Sequence, residues 1–308
     1  MKKIRAAVIG VGYLGRFHAQ KYAVMDDVDL VGVIDINAER AKEIAQEVNS
    51  SAHTDLSSLI DTLDAVSIAV PTSSHAEVSI PLLEKGIHVL LEKPISAHIH
   101  EAQQIIDAAT RGNAILQIGH LERFNPALLK LADDIKQPMF IEGHRISPFK
   151  ERGIDVDVIL DIMIHDIDII LSLVRSPIAS VEAVGVPVLT GDVDIANARI
   201  RFESGCIANI TASRVSADVM RKIRIFQSNS YISIDFAKAS VDIYTLNEEK
   251  QIGHSHLAMS ESDALGAEIR SFIDCIRNGS AVMVDGMAGL KAIEVAHTIK
   301  ASMVVPKR

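Results

Sequence analysis

The stretch VIGVGYLG, Val8 to Gly15, constrains this chain more than any other. Gly10, Gly12 and Gly15 keep a G-x-G-x-x-G spacing, directly after the apolar run IRAAVI and directly before a segment with helical periodicity. Small residues at such a strand-to-helix turn let the backbone approach a pyrophosphate. The helix N-terminus adds N–H groups and a positive dipole end. Tyr13 and Leu14 fill the two variable positions of the turn. Asp35 closes the next apolar run, VDLVGVID, 25 residues after Gly10, where a ribose-binding carboxylate belongs. The spacing taken alone also fits a glycine-rich turn and a helix-capping Asp. A carboxylate with no arginine inside DINAE favours NAD over NADP, with Arg40 the nearest cation that could answer a 2′-phosphate.

The first 120 residues alternate between short runs of Val, Ile and Leu and helical segments. The runs are IRAAVIG, VDLVGVID, AVSIAVPT, IHVLLEKP and AILQIGH. Helices are expected at Gly15–Met25, Ala38–Val48, Asp55–Thr62, His75–Gly86 and His98–Gly112, with Pro81 kinking or shortening the fourth. Runs apolar on both faces and separated by helices predict a parallel sheet covered on both sides, a doubly wound α/β domain of Rossmann type.

After Arg123 the pattern changes. NPALLKLADDI opens a helix with an Asn cap and a Pro at its first position. A strand follows at Met139–Ser147, then a long helix at Asp155–Val174. Strands are then expected at Val181–Leu189, Ile195–Phe202, Ile207–Ser213, Lys222–Gln227, Tyr231–Phe236 and Val241–Leu246. Two helices, Asp263–Arg277 and Gly286–Met303, close the chain. This order predicts an α+β domain with a large, mostly antiparallel sheet and helices on one face. The expected division is 1–122 for dinucleotide binding and 123–308 for substrate binding and oligomerisation.

Composition narrows the partners. A net charge of −9, no Trp and 4% aromatic residues argue against nucleic acid. No run of about 18 apolar residues is present to cross a bilayer. The basic start before an apolar run imitates a signal peptide, but Arg5 and the glycine turn make it a strand. Two cysteines, Cys206 and Cys275, suit a reducing cytoplasm.

Two further segments carry candidate chemistry. At the carboxyl end of a parallel strand, where ligands gather, stand Glu92, Lys93 and Pro94. Pro71, Thr72 and His75 of VPTSSH stand at the neighbouring one. Lys93 is the candidate to face nicotinamide and substrate, although a solvated strand end before a turn reads equally well. On the long helix, Asp157, Asp161, His165 and Asp168 recur at spacings of four, four and three, which puts them on one face. That stripe fits a catalytic set, a solvent-facing edge or a satisfied core histidine. A metal site would need a third convergent ligand such as His120, and none is assigned.

Together, GVGYLG, Glu92-Lys93-Pro94 and Asp161-x-x-x-His165, in that order, resemble the Gfo/Idh/MocA oxidoreductases over essentially the whole chain. The resemblance implies an NAD(P)-dependent dehydrogenase in which Lys93 and His165 flank the reacting hydroxyl and Asp161 assists. Thr72 stands where many members have Asn. GHLERFNPA, HRISPF, DVDVILDIMIHDIDI and TASRVSADVMRKIRIF resemble more narrowly the branch that oxidises UDP-N-acetylglucosamine at its 3-hydroxyl, for the diamino sugar of lipid A. They supply the substrate candidates Arg123, Asn125, Arg145 and Arg214. Arg221, Lys222 and Arg224 join Arg214 in a cationic cluster suited to a diphosphate, or merely to balancing nearby acids. A free sugar or inositol, and a non-catalytic sugar or NAD sensor, are the rival readings. Family members pair through the second sheet, which implies a homodimer or homotetramer.

For the chemistry, an ordinary lysine with a pKa of roughly 10.4 costs about 4–5 kcal/mol to deprotonate at neutral pH, whereas an ordinary histidine near 6.5 is mostly neutral. His165 is therefore the expected base, Asp161 its orienting carboxylate and Lys93 the cation beside the developing alkoxide. A strongly desolvated lysine would reverse these roles.

Overall fold

The computed structural model describes residues 2–149, 156–259 and 263–306. The first apolar run is β1 (Ile4–Ile9), followed by α1 (Tyr13–Ala23), β2 (Val28–Ile34), α2 (Ala38–Glu47), β3 (Ala52–His53), β4 (Ala65–Ile68), α3 (His75–Glu84), β5 (His88–Glu92), α4 (Ile99–Arg111) and β6 (Leu116–Gly119). The sheet runs β3-β2-β1-β4-β5-β6, and every pairing is parallel. β4 and β6 are buried at every position, as runs apolar on both faces require. The strand order reverses beside β1, which places the glycine turn and the ends of β4 and β5 along one edge.

Two local expectations change. Between Asp55 and Thr62 only a short 3-10 turn, Ile60–Thr62, forms. Asp55 instead accepts the Ser57 backbone N–H at 2.9 Å, a turn that competes with helix. Pro81 lies inside α3, and the helix ends at Glu84, short of the expected Gly86.

The second half contains α5 (Pro126–Leu131), β7 (Pro138–Ile146), α6 (Ile164–Leu173), β8 (Ile178–Val186), β9 (Ile195–Phe202), β10 (Ile207–Ser213), β11 (Met220–Gln227), β12 (Ser230–Asp235), β13 (Ser240–Leu246) and β14 (Ile252–Ala258). The chain closes with α7 (Ala264–Asn278), α8 (Gly286–Ser302) and β15 (Met303–Val304). Nine strands pair in the order β14-β13-β12-β11-β7-β10-β9-β8-β15. All pairings are antiparallel except β7 with β10 and β8 with β15. β14 escaped the sequence reading because six of its seven residues are exposed. An edge strand that buries nothing shows no alternation. The long helix opens as a π-helix at Ile159–Met163 before α6 begins, and its expected first residue, Asp155, lies outside the described residues.

The expected boundary needs correction. One unit joins residues 1–121 with 263–290, the other 122–262 with 291–308. α7 returns to the first unit because Ile269, Phe272 and Ile273, all fully buried, pack with Val8, Ala19 and Tyr22 in one apolar cluster. Arg270 and Arg277 anchor it to Asp27. The hydrogen bond from Arg270 holds the Asp27 carboxyl below its ordinary range, even though burial opposes this. Among the described residues no helix is long and apolar enough to cross a membrane.

Candidate active site

The dinucleotide side is built first from absences of side chain. Gly10 has φ +81°, and a Cβ there would sit 2.9 Å from the Ala69 backbone. A Cβ on Gly15 would lie 1.8 Å from the Gly10 carbonyl oxygen, so the turn and the helix close only on glycine. Nothing lies within 4 Å of a Cβ on Gly12, where the turn is open. α1 starts with Gly12 as its N-cap. No side chain caps it and no acidic residue lies in its first turn. An open backbone cradle at an uncapped helix start fits a diphosphate. Tyr13 and Leu14 are exposed beside it.

Asp35 leaves the end of β2 and braces the cradle. Its Oδ2 accepts the Val11 N–H at 3.0 Å and its Oδ1 accepts the Asn37 N–H at 2.9 Å. Arg40 holds the same loop from the other side, donating from Nε to the Val11 carbonyl (2.8 Å) and from Nη2 to the Gly12 carbonyl (3.1 Å). Val11 is thus fixed between an acid and a base. Pro71 precedes a 3-10 turn at Thr72–Ser74, and Thr72 is buried.

At the end of β5 the strand buries Val89 to Leu91 and then changes character. The Glu92 side chain points inward, 12% exposed, with Oε1 3.0 Å from Nε2 of the buried His18. Its Oε2 accepts the Lys93 N–H at 3.2 Å. Burial works against this carboxylate's charge, but the His18 hydrogen bond and nearby cations prevail and hold it below the usual range. Lys93 itself is half-buried, and the Lys93–Pro94 peptide is cis. Glu92 therefore anchors the turn from inside, with Lys93 the next residue along it. His75, expected among the cofactor contacts, is 1% exposed and engaged with backbone carbonyls.

In the second unit the acidic helix does not present one uniform stripe. Asp157 caps the π-helix, accepting N–H bonds from Ile159 (3.0 Å) and Leu160 (3.1 Å), and pairs with Lys300. Asp161 falls within the π-helix and His165 at the second position of α6, both half-buried. Asp168 is buried, with Arg123 Nη1 3.3 Å from its Oδ1. Asp166, which the spacing argument passed over, is buried and takes two hydrogen bonds from Arg145, at 3.1 and 2.9 Å. Its only signal in the sequence was an acid between His165 and Ile167 in a helix of otherwise buried character.

Several expected substrate residues change role. Arg145 is buried, and its third bond goes to Glu122 at 2.8 Å, so its fork is spent on two carboxylates. Arg214 is buried with Asp194, Nε to Oδ1 at 3.1 Å. Asp194 also accepts the N–H groups of Val188, Leu189 and Thr190 and the Thr190 hydroxyl. These bonds outweigh burial and hold its carboxyl far below the usual range. Asn125 caps α5 through the Ala127 N–H. The cationic cluster is split: along β11, Arg221 points to one face of the sheet and Lys222 and Arg224 to the other, where Arg224 pairs with Glu142 at 2.8 Å. Arg123, with 21% of its side chain exposed, is the cation of the original four that keeps access to solvent. Among the described residues no group of three or more His, Cys, Asp or Glu is placed to hold a metal.

Comparison with known proteins follows this division. Residues 4–120 match the family model of an oxidoreductase family with an NAD-binding Rossmann fold, and residues 135–233 match the GFO/IDH/MocA C-terminal domain. UDP-N-acetylglucosamine 3-dehydrogenase of Acidithiobacillus ferrooxidans is 38% identical over 98% of both chains. A solved structure of that enzyme superposes with a TM-score of 0.93, covering 98% of each chain at 39% identity. Myo-inositol 2-dehydrogenase of Thermotoga maritima is 26% identical, over 97% of this chain and 96% of its own.

Proposed function

The chain belongs to the Gfo/Idh/MocA oxidoreductases, dehydrogenases that use a nicotinamide dinucleotide, and from that premise we propose that it oxidises the 3-hydroxyl of UDP-N-acetylglucosamine to the 3-keto sugar with NAD⁺. The observation that carries the substrate is the 38% identity, over 98% of the chain, to an enzyme named for that reaction. Lys93, held at the end of β5 by the inward Glu92, supports the reaction type.

NAD⁺ is the proposed cofactor: a carboxylate at Asp35, at the end of β2, disfavours a 2′-phosphate, and Arg40 is already committed to loop carbonyls. NAD⁺ held at the glycine turn would supply the acceptor for the hydride leaving the carbinol carbon. His165 takes the hydroxyl proton, Asp161 orients its ring, and Lys93 stays charged and stabilises the developing alkoxide. Arg123 is the cation left to meet the substrate's diphosphate. The keto product is then available to an aminotransferase, the step that leads to the diamino sugar of lipid A.

We further propose a cytoplasmic homo-oligomer, dimer or tetramer, formed through the second sheet. One row on that sheet, Phe140, Phe226, Tyr231, Tyr244 and His254, stacks across five strands with centroids 4.4–5.6 Å apart. The row lies on the face opposite α6, since Gly143 and Arg145 of β7 turn towards Asp166. Light scattering on a size-exclusion column measures the assembly.

The deciding experiment follows NADH formation from NAD⁺ and UDP-N-acetylglucosamine with a carbonyl trap, beside NADP⁺, free N-acetylglucosamine and myo-inositol. Turnover of the nucleotide sugar with NAD⁺ is expected. Turnover of a free polyol alone overturns the substrate, and tight cofactor binding without any turnover points to a sensor.

A further inference from the structure

β4 and β5 pair in register from Ala65↔His88 to Ile68↔Leu91, and beyond the last pair both chains turn away. The loop after β4 carries Pro71 and the turn after β5 carries Pro94, and a proline has no N–H to extend the ladder. The carbonyls of Val70 and Pro94 must find donors elsewhere. The His75 ring lies between them. Nε2 is 3.1 Å from the Val70 oxygen, and Nδ1 is 2.9 Å from the Pro94 oxygen and 3.4 Å from that of Ile95. His75 is the first residue of α3, and its own N–H is bonded to the Thr72 carbonyl, so the ring hangs from a fixed point.

We propose that His75 is a positioning residue for Lys93: its buried imidazole ties the turn after β5 to the loop after β4 and so fixes where the Lys93 ammonium stands. The inference rests on the catalytic role assigned to Lys93 above. It replaces cofactor contact as the reason for a histidine at this position. At 1% exposure, with its nitrogens turned to backbone oxygens, the ring has no free edge for a dinucleotide. Burial pushes the imidazole below its ordinary pKa although the three carbonyls and the charge of Glu92 favour the proton. The neutral ring donates from one nitrogen; with that proton on Nδ1 it bonds the Pro94 carbonyl and so ties the turn after β5 to the start of α3. Asn carries its donors on a single nitrogen and lacks the span. Phe supplies the volume and no donor.

The test uses the full chain with His75→Phe, His75→Asn and His75→Gly. Three quantities are measured: NAD⁺ affinity by titration, hydride transfer in a single turnover, and the NMR signal of Lys93 in protein with ¹³C-methylated lysines, assigned with Lys93→Arg. His75→Phe is expected to slow hydride transfer about 10- to 100-fold, the scale of a catalytic group displaced by an ångström. NAD⁺ affinity should change less than about threefold, the pattern of an interaction made in the transition state. Added imidazole should restore part of the rate to His75→Gly, and the Lys93 signal should move in the Phe variant. His75→Asn provides the same readings if Phe fails to fold. Affinity falling in proportion to rate overturns the proposal in favour of a cofactor contact. An unchanged rate with an unmoved Lys93 signal overturns it in favour of packing alone. If the wild type turns over none of the sugars, the functional reading fails, and the Lys93 signal alone still decides the role of His75.

Discussion

Gly119 of β6 stands opposite Glu92 of β5, and a Cβ on Gly119 would lie 3.1 Å from Oε2 and from Cα of Glu92. The carboxylate that braces the Lys93 turn occupies space that only glycine leaves. Gly119→Ala should push that carboxylate off His18 and destabilise the protein by about 1–3 kcal/mol, the usual cost of overpacking. Thermal unfolding together with single-turnover hydride transfer checks it. Equal melting points and rates would show that the two strands part without disturbing Glu92.

His18 and Glu92 should behave as one unit. His18→Leu leaves a mostly buried carboxylate with the Lys93 N–H as its bonded donor, a loss of about 1.5–3 kcal/mol for a charged hydrogen bond. Glu92→Gln in the same background removes the charge, so the double variant should be more stable than the two single losses predict. Strict additivity in urea unfolding would mean that the pair is not coupled.

Glu268 of α7 is fully buried, and neither carboxylate oxygen has a hydrogen-bond partner among the described residues. Burial pushes its carboxyl well above the ordinary 4.5, and the charge of Glu92 adds to the effect. The folded chain therefore holds this proton more tightly than the unfolded chain does. The group's contribution is fully present at acid pH and is lost as pH rises from the ordinary value through the raised one. Glu268→Gln cannot ionise, so its melting point should gain on the wild type as pH climbs from about 5 to about 9. A constant difference across that range would show that Glu268 does not titrate there.

Asp35 should govern cofactor choice. Asp35→Ala removes an acceptor for the ribose and the repulsion of a 2′-phosphate, and should cut the preference for NAD⁺ over NADP⁺ about 10- to 100-fold in kcat/KM. Because Asp35 also holds the Val11 N–H, some loss with both cofactors is expected. Loss in equal proportion with both would assign Asp35 to the loop alone.

Arg145→Met should cost about 3–5 kcal/mol, since it leaves Asp166 buried without its cation. Substrate KM measured well below the melting point should hardly move, whereas Arg123→Ala should raise it. The reverse order would return Arg145 to the substrate site.

Much was legible in the residues. The Rossmann half announced itself because a parallel strand is apolar on both faces and Gly10 and Gly15 sit where no side chain fits. The strands of the second half were found wherever one face is buried. β9 and β10 begin and end where alternation begins and ends. The elements that failed are those in which burial leaves no periodic mark. β14 is an exposed edge, the Asp55–Thr62 segment is held by side-chain turns, and the start of the Asp161 helix is a π-helix that the 3.6-residue period cannot anticipate.

By itself the sequence determined the cradle: three glycines, an acid at the end of the second strand and a lysine at the end of the fifth, all set by short-range geometry. Only the tertiary structure decided which charges are available. Arg145 and Arg214 read as substrate cations until folding placed Asp166, Glu122 and Asp194 against them. His75 read as a ligand until two loops closed on its ring. A buried charge must find a partner, and that partner comes from a segment far along the chain, where spacing carries no information.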